Sequence, residues 1–346
     1  MTQAVFAIPG DKDRRTGGFI YEATVLRVLN EIGVETAHLE LPDSFPAPTQ
    51  SDMAATLAAL QDVPRDQPII LDGLVFGSID PAGLSRVQAP VIAMIHHPLG
   101  LETGLDPDRA AALRANEAAA LKWVDHAIVP SPHTERILVE EFGADADRIS
   151  IAPPGFARPN VDRAPSTPPL ILSVGLLAER KGHDVLLEAL SQIGDLQWQA
   201  VIVGKAHDPA VEQNLQTQRA QLGLTDRVTF AGELEARALE RHFNAAHVFA
   251  LATRYEGYGM VLSEAMLYGL PIISCAVGAV PETVGDAGLL TSADDPTRFA
   301  QALRDLLETP QTARDYAARS QARARSLPTW TDTARVFETV LRRVGT

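Results

Sequence analysis

The chain has 346 residues, 46 % of them apolar, which is enough for two hydrophobic cores and sets a prior of about two domains. Its net charge is −14, and residues 1–160 carry −10 of it; nucleic acid is therefore a poor partner, because that affinity rests on Lys and Arg neutralising phosphates. The one cysteine, Cys275, excludes a disulfide framework and a cysteine-based zinc site, and its place after Ile272, Ile273 and Ser274 reads as a buried thiol.

The opening residues, Met1 to Ile8, lack a basic segment and read as a first strand, not a signal peptide, so the cytoplasm is the expected compartment. No run of about eighteen apolar residues occurs, and no membrane-spanning helix is expected. Docking on anionic lipid calls for a basic amphipathic helix. The cluster Lys12, Arg14 and Arg15 is diluted by Asp11 and Asp13, and membrane association is not indicated.

Short apolar, β-branched runs alternate with helical patterns along the whole chain, the mark of parallel α/β layers. Strands are expected over 5–8, 36–41, 69–71, 91–95, 126–129 and 149–152. A helix over 19–32 places Leu26, Leu29 and Ile32 on one face. Segment 161–169 is polar and proline-rich and reads as a linker that packs and ladders poorly. The alternation restarts with strands over 170–174, 199–203, 228–230, 248–251, 272–274 and 288–290, and a last helix is expected over 330–344. No short-period repeat or low-complexity segment interrupts the pattern. Two doubly wound units are expected, residues 1–160 and 170–325, followed by a terminal segment 326–346.

The passage after the strand at 248–251 is the most informative. A glycine-bracketed loop, Gly257-Tyr258-Gly259, leads through Met260 and Val261 into a short helical pattern that Gly269 and Pro271 stop. Open N–H groups at such a helix start suit a phosphate. Glu256 precedes the turn and Glu264 falls early in the helix, where a carboxylate accepts from vicinal hydroxyls. Two solvated acids on a packing helix would be the bland explanation of Glu-x7-Glu alone.

With Ala265-Met266-x-x-Gly269-x-Pro271 added, the passage resembles the signature of the retaining GT-B glycosyltransferases of family 4, the group 1 glycosyltransferases. The resemblance covers essentially the whole chain and is stronger in its second half. It implies a GT-B fold: two Rossmann-like, doubly wound parallel-sheet domains with an inter-domain cleft. The first would bind acceptor and the second the nucleotide sugar, and the C-terminal helix would cross back to the first. Glu256 would contact the donor sugar and Glu264 the ribose, with Gly257, Tyr258, Gly259, Met260 and Val261 lining the donor.

Three further segments end strands, where open parallel sheets bind ligands. Gly175 to His183 resembles the family's phosphate loop, and Lys181 matches its lysine. Leu176 stands where the family has arginine, and Arg180 is expected to supply the missing charge. In Ile95-His96-His97-Pro98, alignment by the strand selects His96 as the family histidine close to the donor sugar. Adjacent histidines without a third ligand are poor zinc spacing. Gly17 and Gly18 resemble the family's N-terminal glycine pair near the donor phosphate. Ser131, Pro153 to Phe156 and Ala231 to Leu234 match family turns, and Asp294-Asp295 reads as a helix cap before Pro296.

The expected activity is transfer of a sugar, with retention, from a nucleotide-diphosphate donor to a hydroxyl acceptor. A UDP-sugar is favoured over GDP-mannose, and a small soluble acceptor over a lipid. His96, Glu256 and Lys181 form the expected catalytic set. The scheme requires no metal and no cofactor, and no Asp-x-Asp suited to a metal is seen. The alternatives are a non-catalytic nucleotide-sugar binder and a sugar-nucleotide epimerase on the same fold. A dinucleotide dehydrogenase is disfavoured, since no Gly-x-Gly-x-x-Gly follows a strand with an acid about twenty residues on.

Overall fold

A computed structural model describes residues 4–102, 104–206 and 208–345. The chain forms two compact units, Met1–Ala157 with Pro328–Thr346, and Arg158–Leu327. Each is built on a six-stranded parallel sheet. All twelve expected strands are present, with ends shifted by no more than two residues.

In the first unit the strands are β1 (Ala4–Pro9), β2 (Thr36–Leu41), β3 (Ile69–Asp72), β4 (Val91–Met94), β5 (His126–Val129) and β6 (Ile149–Ile151). They lie in the order β2-β1-β3-β4-β5-β6. β1, β3, β4 and β5 are buried at every residue, which is why they read as unbroken apolar runs. β2 is an edge and exposes His38 and Leu39-Glu40 in part. Alternation along β1 sends Phe6 and Ile8 to one face and Ala7 to the other. The face with Phe6 is covered by the helix Gly17–Glu31, through Phe19, Val25 and Leu29, and by the helix Trp330–Val344, through Phe337 and Leu341.

The second unit contains β7 (Leu170–Val174), β8 (Gln199–Val203), β9 (Val228–Gly232), β10 (Ala246–Leu251), β11 (Ile272–Cys275) and β12 (Gly288–Thr291), ordered β12-β11-β10-β7-β8-β9. Its core holds Trp198, Leu187, Ile202 and Phe299, and the indole N–H of Trp198 donates to the Ile193 carbonyl at 2.8 Å. The chain winds outward from β7 to β9, then returns to the other side of β7 with β10. The β7/β10 junction is thus the point where winding direction reverses, and the loops after those strands lie beside each other. In the first unit the same reversal falls between β1 and β3. Ligands in open parallel sheets bind at such points.

Segment 161–169 departs from the poor packing its composition implies. Arg163 donates to the carbonyls of Phe243 (2.7 Å) and Ala246 (2.6 Å), and Asp162 N–H donates to Asn244 Oδ1 at 2.9 Å. The end of the helix Ala236–Ala245 offers unpaired carbonyls, and one arginine fork binds this segment to them.

Candidate functional site

In the second unit, β7 runs into Gly175 and a short 3-10 turn, Glu179–Lys181; Gly182 follows in the left-handed conformation and opens the helix His183–Ser191. β10 runs into Ala252 to Gly259, and left-handed Gly259 opens the helix Met260–Leu267. The two loops are joined by backbone and side chain. Arg254 N–H donates to the Arg180 carbonyl at 2.7 Å. Thr253 Oγ1 lies 2.9 Å from that carbonyl and 3.2 Å from Glu256 Oε1. The join brings Lys181 Nζ to 2.5 Å from Glu256 Oε1, with both residues buried. Behind Glu256, its carbonyl accepts from Ala279 N–H at 2.9 Å, and Gly278 packs so closely that a Cβ there would lie 2.3 Å from the same oxygen.

Glu264 sits in the second turn of the Met260–Leu267 helix and is half-buried. Burial pushes its carboxyl up to about 7, because the charged form loses water. No side chain caps the start of that helix. Its N–H groups and partial positive charge therefore lie within a turn of Glu264 and beside the Lys181–Glu256 pair. Gly257, Tyr258, Met260 and Val261 are each partly exposed around it. Arg180 is partly exposed, and its carbonyl is what anchors the neighbouring loop.

Sequence reasoning passed over Arg254. Its guanidinium grips Asp184 with two bonds of 3.0 and 2.7 Å, reaches Asp294 at 2.7 Å and donates to the Glu179 carbonyl at 2.5 Å. The hydrogen bonds to Asp184, then the other acid, hold its pKa above the usual arginine value. Asp184 opens the helix after Gly182, and Asp294 adopts φ +55° before the helix Pro296–Glu308. Only Asp295 caps that helix, accepting from Arg298 N–H at 2.9 Å. An arginine directly before the Tyr255-Glu256 pair was the available signal. His183 is also structural: its Nε2 donates to the Gly175 and Leu176 carbonyls at 3.3 and 3.1 Å, and burial lowers its pKa to about 4, so it is neutral.

Arg254 thus fixes where Lys181 meets Glu256. Replacing it with Ala should lower the stability of the second unit by about 1.5–3 kcal/mol, the scale of charged hydrogen bonds. Arg254→Lys should recover little, because an ammonium cannot span both Asp184 oxygens and Asp294 at once. Denaturant titrations of the three proteins check this, and equal stability of Lys and Arg would refute the fork.

In the first unit, Gly17 begins the helix Gly17–Glu31, whose N-cap Thr16 makes no side-chain capping bond. A Cβ on Gly18 would lie 3.4 Å from His96 Cδ2, so the glycine and the histidine ring are in contact. His96 is partly exposed, its Nε2 lies 3.1 Å from Glu22 Oε1, and its ring packs edge-on against Tyr21 at 5.1 Å. Burial pushes its pKa down to about 4, and the ring is neutral at physiological pH. Glu22 and Asp72 were not singled out from sequence, and both are buried here.

Among the described residues no group of three or more His, Cys, Asp or Glu is placed to hold a metal ion, and no helix is long and apolar enough to cross a membrane. Cys275 is buried, and burial raises its thiol to about 11.

Known proteins share this fold. The fold matches that of sucrose-phosphate synthase from Thermosynechococcus elongatus with a TM-score of 0.83 over 99 % of both chains, at 22 % identity. It matches HepE of Anabaena, solved in complex with UDP and glucose, with a TM-score of 0.75 over 99 % of this chain and 100 % of that one, at 17 % identity. In sequence the chain is 32 % identical over 207 residues to a D-inositol 3-phosphate glycosyltransferase from Xylanimonas cellulosilytica, covering 54 % of this chain and 50 % of that one. The chain spans about half the length of that curated relative. The family model described as Glycosyltransferase Family 4 matches residues 72–157, and that described as Glycosyl transferases group 1 matches residues 157–323. The two meet end to end, over β4 to β6 of the first sheet and all six strands of the second. With two doubly wound sheets of GT-B type beneath them, the chain belongs to the group 1 glycosyltransferases of family 4.

Proposed function

We propose that the protein transfers a sugar from a nucleotide-diphosphate donor to a hydroxyl acceptor, with retention at the anomeric carbon and without a metal. A UDP-sugar is the favoured donor and a small soluble molecule the favoured acceptor. The observation that carries this reading is the buried Lys181–Glu256 pair at the β7/β10 reversal, next to an uncapped helix start and Glu264. Structures of the similar HepE hold UDP, glucose or UDP-glucose, which supports a uridine nucleotide here. The acidic first 160 residues disfavour an acceptor embedded in anionic lipid.

In this reading negative charge develops on the departing diphosphate and positive charge on the anomeric carbon. Lys181 and the helix N–H groups stabilise the first by electrostatics already in place. Arg180 assists where Leu176 replaces the family arginine. Glu256 holds the sugar, and the Lys181 contact keeps its carboxylate oriented before the donor arrives. His96, neutral, hydrogen-bonds the sugar or the developing cationic centre and does not act as the base that an inverting reaction needs.

Incubation with a panel of labelled UDP-glucose, UDP-galactose, UDP-glucuronate and GDP-mannose tests the reading. Slow hydrolysis of one donor is expected; return of an isomer would mark an epimerase, and no change a binder. Once an acceptor is found, the anomeric proton coupling of the product decides stereochemistry. A β-linked product from an α-linked donor would overturn retention.

Glu264 is assigned to the donor ribose. Glu264→Gln should weaken UDP binding by about 1.5–3 kcal/mol, the scale of a charge-assisted hydrogen bond. The pH dependence has a definite sign. Only the ionised carboxylate accepts from both hydroxyls, and its pKa of about 7 means that affinity should rise as pH passes upward through that value. Calorimetry from acid to alkaline pH should show this rise in the native protein and not in Glu264→Gln. Equal pH profiles would remove Glu264 from the ribose.

A further inference from the structure

Three elements of the first unit converge behind His96. The helix Gly17–Glu31 presents Gly18, Tyr21 and Glu22 on one face, since positions three and four apart align. β3 ends in Asp72, and β4 leads to His96. Gly73 keeps these strand ends together: a Cβ there would lie 2.8 Å from the Met94 carbonyl and 3.7 Å from His96 N. Tyr21 flanks the ring and is itself anchored, donating to the Ala152 carbonyl at 2.9 Å.

Glu22 is wholly buried and Asp72 nearly so. Their carboxyls interact with each other, and among the described residues no N–H or hydroxyl donor reaches Glu22 Oε2. Burial pushes both carboxyls up, Glu22 to about 8, so the pair holds at least one proton near neutral pH. Asp72 Oδ1 already accepts from Leu74 N–H (2.8 Å) and Val75 N–H (3.2 Å), which leaves its other oxygen to carry that proton. A consistent chain follows. Asp72 donates to Glu22 Oε2, and Glu22 Oε1 accepts from His96 Nε2–H across the 3.1 Å contact.

We infer that Glu22, backed by Asp72, is a positioning residue that fixes the His96 ring with its proton on Nε2 and its lone pair on Nδ1. Which ring nitrogen carries the proton is set by the hydrogen bond the other end makes. Held this way, His96 meets a sugar hydroxyl as an acceptor. The role in turnover rests on the proposed transfer reaction; the state of the ring does not.

Two measurements test the inference. Nitrogen NMR of the full chain labelled in histidine, with His96 assigned by its loss in His96→Ala, should show the Nε2-protonated tautomer at neutral pH. A proton on Nδ1 overturns the inference. In the donor-consumption assay, Glu22→Leu should lower kcat by about tenfold with donor KM within about twofold, as expected when an interaction made in the transition state is lost. Glu22→Gln should recover most of that rate, because its amide can donate to Asp72 and accept from Nε2–H. In a His96→Ala background, Glu22→Leu should add no further loss. An equal further loss there, or a Gln variant as slow as Leu, overturns the inference. If Glu22→Leu does not fold, the tautomer in the native protein and in Glu22→Gln decides. If no donor is consumed by any variant, the transfer reading fails, and the tautomer still decides the inference.

Discussion

Lys181→Ala is expected to lower the transfer rate by about 10²–10³, the scale seen when one preorganised charge-stabilising group is removed. The same change should destabilise the second unit by about 3 kcal/mol, because it strands the Glu256 carboxylate in a buried site. Thr253 Oγ1, 3.2 Å from Glu256 Oε1, would offset only part of that cost. The two effects can be separated. Lys181→Met combined with Glu256→Gln removes both charges, and should regain most of the lost stability while remaining inactive. Initial rates and denaturant titrations of the single and double variants read out both quantities. A Lys181→Ala protein with native turnover would remove Lys181 from the chemistry. A double variant no more stable than the single would show that the pair is not a buried charge couple.

Gly182→Ala should be more disruptive to the fold than its size suggests. Gly182 adopts φ +62°, which costs a side chain about 1–2 kcal/mol. Its Cβ would also lie 1.9 Å from the Ala252 carbonyl oxygen, a backbone atom of the neighbouring loop that cannot swing aside. Lys181 and Glu256 would be pushed apart by the same movement, so stability and activity should fall together. Gly143 provides the comparison. It has φ +70° at the end of the helix Pro132–Phe142, with nothing within 4 Å of a built Cβ. Gly143→Ala should lose only the conformational contribution and keep full turnover. Thermal melts and donor-consumption rates of the two variants check this. Equal losses would mean that the approach to Ala252 does not matter.

Much of the fold was legible because parallel strands buried on both faces must be apolar throughout. The runs at 69–71, 126–129 and 272–274 announce themselves for that reason. Lys181, Glu256 and Glu264 were singled out through the family motifs that they resemble, and the structure places the first two in direct contact. Partners that come from distant sequence were not. Glu22 lies on the same helix as buried Val25, Leu26 and Leu29, and Asp72 closes the run Ile69-Ile70-Leu71; an acid in such a setting was the only sign that either is buried with a partner. Arg254 was read as part of a loop because the acids that define its role lie 70 and 40 positions away. Periodicity reports which face is buried, and says nothing about what a polar group on that face will meet.

The final helix carries a consequence for how the protein is made. Trp330–Val344 lies against the helix Gly17–Glu31 in the first unit, and Phe156 N–H bonds to the Pro328 carbonyl at 2.9 Å. All of Arg158–Leu327 is inserted between those two residues. During synthesis the first unit therefore emerges with Phe19, Tyr21 and Val25 lacking their cover, and waits until the whole second unit has been translated. At about 5–20 residues per second, that interval lasts on the order of ten seconds or more. A ribosome stalled within 158–327 would leave the apolar face of a nearly finished sheet open to chaperones.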